Sequence, residues 1–271
     1  MLYTDLSQID FNKYRRFFAF GCSFTGYRWP TWSDILAWGM PHCEYHNVGQ
    51  SGAGQMYISC QLSQYILHHN IGEGDLVAVM WSTFCREDRY LHNKRPNNWS
   101  TPGNIFTAQH EVPQEFVDNY VCVRGMAIRD MAIVHSATNL LKTAEFDSFA
   151  SICVSFEQQL QGLGGTGPQA DYDLSDVTNL YLPILKPMLA PGIAEIVPDF
   201  NIDGYSYKEE DRPDVFVDYH PTVQGHADYL TRSGVALSQH VQDRVSAEHD
   251  YYSSVTHKSQ LQPNHVPCLI L

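Results

Sequence analysis

After Asp75, the run Leu76-Val77-Ala78-Val79-Met80-Trp81 is apolar at every position. A strand with one wet face alternates apolar and polar side chains, so an unbroken run marks a strand buried on both faces. Such strands belong to parallel sheets covered by helices on either side, which sets aside open all-β designs and helical bundles. Phe17-Phe18-Ala19-Phe20 reads the same way, within a strand expected over residues 16–22. Further strands are expected over 44–48 and 149–156. Helical patterns lie between and after them, over 32–38, 55–69 (Met56, Ile58, Leu62, Tyr65 and Ile66 on one face), 116–141 and 222–245. Residues 181–197 mix proline with apolar groups and read as a short helix followed by an edge strand at 194–197. Strands alternating with helices give a three-layer α/β/α sandwich around a parallel central sheet.

At 271 residues the chain is long enough for one large α/β domain. We assign residues 1–245 to that domain and read 246–271 as an extended C-terminal tail. A net charge of −13, with no basic cluster longer than Tyr14-Arg15-Arg16, argues against a nucleic-acid partner. The first residues lack the basic and apolar regions of a secretory signal, and no apolar stretch is long enough to cross a bilayer. A cytoplasmic protein without a membrane partner is the expectation. The ending Cys268-Leu269-Ile270-Leu271 matches a prenylation pattern, but residues 262–267 hold no lysine or arginine to supply a second membrane signal. An apolar tail docking on protein is expected instead.

The seven cysteines are odd in number and form no Cys-x-x-Cys pair. Cys60, Cys122 and Cys153 stand in apolar runs and read as buried free thiols. His42, His46, His68 and His69 lack the separated ligand pairs of a zinc site. The Gly-rich stretch 162–168 reads as a flexible loop and has no lysine to hold a phosphate. No metal or other cofactor is expected.

Ser23 closes the first strand in Phe20-Gly21-Cys22-Ser23-Phe24-Thr25. A serine in such a turn commonly caps a helix or satisfies the turn itself. What sets Ser23 apart is the far end of the chain, where Asp218-Tyr219-His220-Pro221 precedes the closing helix. A serine hydroxyl is a poor nucleophile until a base takes its proton and an acid orients that base, and these three residue types supply that set.

The same residues resemble the blocks of the SGNH (GDSL-like) hydrolases. Gly21-Cys22-Ser23 stands for the first block, Asn47-Val48-Gly49-Gln50-Ser51-Gly52 for the second, and Asp218 with His220 for the last. The likeness covers roughly residues 15–240 and extends to SGNH-type proteins of tailed phages, through Cys-Ser-Phe-Thr and Arg86-Glu87-Asp88-Arg89-Tyr90. It implies a flavodoxin-like SGNH fold and an ester-cleaving serine hydrolase acting through an acyl-enzyme on Ser23, with His220 as base.

The pattern departs from the family in two places. The family spaces its acid three residues before the histidine, where this chain has Val217; Asp218 is the first choice and Asp214 the reserve. The resemblance implies oxyanion donors at the Ser23 amide, at Gly52 and at a block-three asparagine, but Trp81-Ser82-Thr83-Phe84 has no asparagine. Thr83 is the first choice for the missing donor and Ser82 the next. Arg86 is a candidate for an anionic substrate group, or else a surface partner of Glu87 or Asp88. His226 reads as a packing residue.

Trp29, Trp32, Tyr90 and Trp99 suggest aromatic surface for a glycan, so the expected partner is a small-molecule or carbohydrate ester, an O-acetyl or other short acyl group. An acyltransferase would use the same groups. The rival expectation is a weakly active or inactive SGNH fold kept for structure or receptor binding in a phage virion, alone or as a homo-oligomer. Host cytoplasm or virion would then be its location.

Overall fold

In the computed structural model of the chain, the described residues are 1–92, 98–106, 112–160, 173–197, 204–209 and 214–261. The loop at 162–168 and the ending Cys268-Leu269-Ile270-Leu271 lie outside them. The central sheet has five strands: β1 (Leu2–Tyr3), β2 (Arg16–Gly21), β3 (Glu44–Asn47), β4 (Asp75–Trp81) and β7 (Asp147–Ile152). All its pairings are parallel, in the order β1-β7-β4-β2-β3. The register aligns Gly21 with Met80, and Trp81 with Ile152, so β2, β4 and β7 end together at one edge. Every residue of β4 is buried: Leu76–Trp81 as the unbroken apolar run requires, and Asp75 in ion pairs with Arg15 and Arg16.

Alternation along β2 sends Phe18 and Phe20 to one side, where both meet Tyr65 of α2 (Gln55–His69) edge-on. On the other side Phe17 stacks on Tyr45, and Trp32 of α1 (Trp32–Trp38) packs against Phe149 of β7. Phe17, Phe18 and Phe20 are all fully buried. Each contributes about 1.5–3 kcal/mol of transfer free energy, so β2 is held rigidly at the middle of the molecule. Helix α1 packs with α8 (Val223–Arg232) and α9 (Gln239–Ser254). Helix α4 (Val123–Thr143) packs with α2 and with α6 (Ser175–Leu185) to form the opposite layer. The result is the α/β/α sandwich that the sequence predicts.

Some elements differ from the sequence expectation. The segment 116–141 is two helices, α3 (Gln114–Tyr120) and α4, because Val121 and Cys122 adopt extended backbone. The strand expected over 149–156 is β7, which stops at Ile152, and Phe156 opens α5 (Phe156–Leu160). No edge strand forms at 194–197: Ile193–Ile196 is a short helix, α7, whose Glu195 carboxylate accepts from the Gly192 amide. The closing helix is broken at Gly234, whose φ of +90° a helix cannot continue. Beyond that break α9 runs to Ser254, with Val245, Tyr252 and Val255 buried, so residues 246–254 are a packed helix rather than a tail. Two short hairpins, β5 (Arg89–Tyr90) with β6 (Trp99–Ser100) and β8 (Ser206–Lys208) with β9 (Val215–Val217), carry too few residues to show a period.

Of the cysteines, Cys153 is buried as expected, but Cys60 is half-buried and Cys122 exposed; the six described cysteines are all free. Trp29 and Trp32 are core residues with no exposed surface. Among the described residues, no helix is long and apolar enough to cross a membrane.

Candidate active site

In a parallel sheet, ligands bind beyond the carboxyl ends of the strands, where neighbouring connections leave in opposite directions. Here that point lies between β2 and β4, since the chain goes from β2 to β3 on one side and returns to β4 on the other. Ser23 stands there, just after β2, in a tight turn closed by hydrogen bonds from the Thr25 and Gly26 amides to the Cys22 carbonyl (2.9 and 3.0 Å). The carbonyl of Thr25 accepts three side chains: Thr31 Oγ1 at 2.6 Å, Asn47 Nδ2 at 2.8 Å and Ser33 Oγ at 3.1 Å. Asn47, the first residue of the second block, therefore holds the Ser23 turn in place from β3. Gly26 and Gly49 pack backbone to backbone; a Cβ on Gly26 would lie 2.5 Å from the Gly49 carbonyl oxygen.

His220 comes from the other end of the chain. The Asp218 amide donates to the Tyr205 carbonyl (2.9 Å) beside the β8–β9 hairpin, and Trp29 Nε1 donates to the Pro221 carbonyl (2.8 Å). Thr222 caps α8 by accepting the Gly225 amide. These contacts set the imidazole between an acid and a hydroxyl. His220 Nδ1 lies 2.6 Å from Asp218 Oδ1, and His220 Nε2 lies 2.8 Å from Ser23 Oγ.

The other Asp218 oxygen accepts the hydroxyls of Tyr27 and Tyr207, each at 2.7 Å. Burial works against the Asp218 charge, but the hydrogen bond and charge of His220, with the two tyrosine bonds, outweigh it and bring its pKa to about 2. Asp218 is thus an ionised acceptor at neutral pH, so Nδ1 must carry the imidazole proton. That leaves the Nε2 lone pair facing the Ser23 hydroxyl. Burial, together with the Asp218 charge, raises the pKa of both tyrosines, so both remain proton donors.

Asp214 is exposed, and the carboxylate that bonds His220 is that of Asp218. Thr83 is nearly buried and lines a cavity of about 740 Å³ together with His220, Phe24, Arg86, Tyr207 and Arg28. Its Oγ1 accepts Arg86 Nε at 3.0 Å, so the hydroxyl proton is left for another acceptor. Ser82 is fully buried, and its hydroxyl has no partner among the described residues. Gly52 is not among the residues lining this cavity. Its φ of +78° and the Thr101 carbonyl, 2.0 Å from where a Cβ would stand, account for a glycine there.

Arg86 pairs with neither acidic neighbour: Glu87 bonds Arg129, and Asp88 accepts the Gly54 and Tyr57 amides at the start of α2. His226 is buried against Phe24. Among the described residues, no group of three or more His, Cys, Asp or Glu side chains is placed to hold a metal ion.

Three residues escaped the sequence reading. Tyr27 lies in the same turn region as Ser23, and its position four residues on was a usable signal. Tyr207 and Arg28 gave none, because the β8–β9 hairpin that brings Tyr207 to Asp218 has no pattern of its own.

No protein-family model and no curated protein matches the chain. Among solved structures it is similar to a member of the lipolytic G-D-S-L family from Veillonella parvula DSM 2008, at 10% identity and a TM-score of 0.43, over 80% of this chain and 95% of that one. It is also similar to a catalytic mutant of an acetylxylan esterase from Geobacillus stearothermophilus, at 12% identity and a TM-score of 0.42, over 84% of this chain and 98% of that one. Likeness at this level carries no activity over to the chain.

Proposed function

We propose that the chain is a serine hydrolase that cleaves a short-acyl ester. The observation that carries this reading is the unbroken path from Ser23 Oγ to His220 Nε2 and from His220 Nδ1 to Asp218, with both links within hydrogen-bond reach. His220 takes the Ser23 proton as Oγ attacks the ester carbonyl, then delivers that proton to the departing alcohol oxygen. Water, deprotonated by the same imidazole, releases the acid and restores Ser23. Asp218 fixes the tautomer and stabilises the imidazolium between the two transfers.

The developing oxyanion takes the Ser23 amide, which bonds no described residue, and the Thr83 hydroxyl, which lines the cavity. Gly52, which the resemblance would make a third donor, does not line the cavity. The cavity has room for an alcohol the size of a sugar. With Trp29 and Trp32 in the core, the aromatic support for a glycan is reduced to Tyr90 and Trp99.

One observation favours a second reading, a fold kept for binding in a virion: no asparagine follows β4 in Trp81-Ser82-Thr83-Phe84. A fluorophosphonate probe separates the two. Stoichiometric labelling of wild type that is lost in Ser23→Ala, together with hydrolysis of 4-nitrophenyl acetate, supports the hydrolase. A folded wild-type chain that neither labels nor turns over the ester sinks it.

A further inference from the structure

Two guanidinium groups line the cavity that His220 lines, and each is one side chain away from the proposed chemistry. Arg86 donates through Nε to Thr83 Oγ1 (3.0 Å) and through Nη1 to the Ala53 carbonyl (3.1 Å). Arg28 donates through Nη1 to Tyr207 Oη (3.1 Å), whose own proton goes to Asp218. A guanidinium has five N–H donors in a planar fork, so these bonds aim each group and leave most of its donors unspent.

The carboxylates nearby are committed elsewhere. Glu87 bonds Arg129 at 3.0 Å, and Asp88 accepts the Gly54 and Tyr57 amides. Within the cavity, Glu209 pairs with Lys258 at 2.6 Å, and Asp218 is only 3% exposed beneath four donors from Tyr27, Tyr207 and His220. Among the described residues, neither Arg28 nor Arg86 has a carboxylate within 4.0 Å. Asp88 still feels the Arg86 charge, but a partly buried arginine with no carboxylate in contact among the described residues is costly to keep in that state unless a ligand completes it. The chain as a whole carries a charge of −13 and repels anions, whereas this cavity is lined by three cations (Arg28, Arg86, Lys258) against two carboxylates (Glu209, Asp218), which reverses the sign where the ester would sit.

We propose that the ester this site takes carries a carboxylate close to the scissile bond, held by Arg28 and Arg86. This rests on the hydrolase reading and narrows its substrate class to acidic esters. The planar pair of oxygens of a carboxylate matches the guanidinium fork.

The test uses two matched pairs of esters on the full chain. Mono-(4-nitrophenyl) succinate against 4-nitrophenyl acetate places the carboxylate on the acyl side. 3-Acetoxybenzoate against phenyl acetate places it on the alcohol side. In at least one pair the acidic ester is expected to show kcat/KM higher by about tenfold or more, the scale of one charge-assisted contact. That ratio should fall with added salt, collapse toward unity in Arg28→Gln and Arg86→Gln, and be partly kept in Arg86→Lys. A wild-type ratio at or below one in both pairs overturns the proposal, as does a ratio that both glutamine variants preserve. If the glutamine variants do not fold, the wild-type ratio and its salt dependence decide.

A binding measurement keeps this separate from the hydrolase reading. Calorimetry of wild type with 3-hydroxybenzoate against 3-hydroxybenzamide needs no turnover. If no ester is cleaved, the hydrolase reading fails, while tighter carboxylate binding that is lost in Arg86→Gln still upholds the two-arginine site. Equal binding of the two compounds, or none, overturns it.

Discussion

The Tyr27 ring lies on the imidazole of His220, centroids 3.9 Å apart and planes 21° from parallel, while its hydroxyl donates to Asp218 at 2.7 Å. One side chain therefore fixes the plane of the base and completes the shell of the acid. Tyr27→Phe keeps the ring and removes the bond. A hydrogen bond to a charged group contributes about 1.5–3 kcal/mol, so kcat/KM should fall roughly tenfold while fluorophosphonate labelling persists. Tyr27→Leu loses the ring contact as well and should fall further. If both variants match wild type in ester kinetics, Tyr27 is scaffold only.

The two candidate acids separate by substitution. Asp218→Asn presents an amide to His220 Nδ1, favours the wrong imidazole tautomer and should lower kcat by orders of magnitude. Exposed Asp214→Asn should leave kcat within about twofold, as surface changes do. The same variants differ in stability. Folded Asp218 titrates at about 2 against an ordinary 3.8, so its contribution is present above 3.8 and is lost as pH falls through about 2. Denaturant titrations should show Asp218→Asn less stable than wild type at neutral pH by on the order of 2 kcal/mol, with the gap closing in acid. Equal, mild kinetic effects of the two changes would mean that His220 works without an acid.

How much of this was legible follows from how local each signal is. β2, β4, α1 and α2 announce themselves because their own side chains carry the period, and the Ser23 turn is readable as a glycine-bounded strand end. The pairing of Asp218 with His220 was also within reach, since the two are two residues apart. What was hidden depends on partners far along the chain. In Arg86-Glu87-Asp88-Arg89 the sequence leaves Arg86 open between an anionic substrate group and an ion pair with Glu87 or Asp88, but Asp88 caps α2 through Gly54 and Tyr57, and Glu87 belongs to Arg129. Only those distant claims reveal that Arg86 is left facing the cavity. Gly234 ends α8 through a left-handed φ, which the flanking helical pattern does not disclose.

His226 gives a pH signature distinct from the catalytic groups. It is buried, its Nδ1 has no partner among the described residues, and burial, with a smaller contribution from the His220 charge, lowers its pKa to about 3. The unfolded chain binds a proton near 6.5 that the folded chain refuses until about 3, so stability must fall as pH drops through that window. The slope from this one group is at most about 1.4 kcal/mol per pH unit. Denaturant titrations of His226→Leu should show a flatter acid limb than wild type over that range. Superimposable acid limbs would mean that His226 is protonated, or solvated, in the folded protein.

Thr83 tests whether a hydroxyl does the work of the absent asparagine. Its Oγ1 already accepts Arg86 Nε, so the proton it keeps is what an oxyanion would use. Thr83→Val preserves shape and removes that proton. If the donor acts only on the charged intermediate, the cost is about 2–4 kcal/mol in kcat/KM, carried by kcat with little change in KM. The valine also leaves Arg86 without its anchor, so Thr83→Ser is the necessary control: it restores both the proton and the acceptor and should recover most of the rate. Thr83→Asn, which reinstates the family's donor, should retain or raise activity. A valine enzyme as fast as wild type would show that the hole is built from backbone amides alone or that Ser82 fills the role. It would also favour the reading of a fold kept for binding, because the side-chain donor that replaces the asparagine would then contribute nothing to the chemistry.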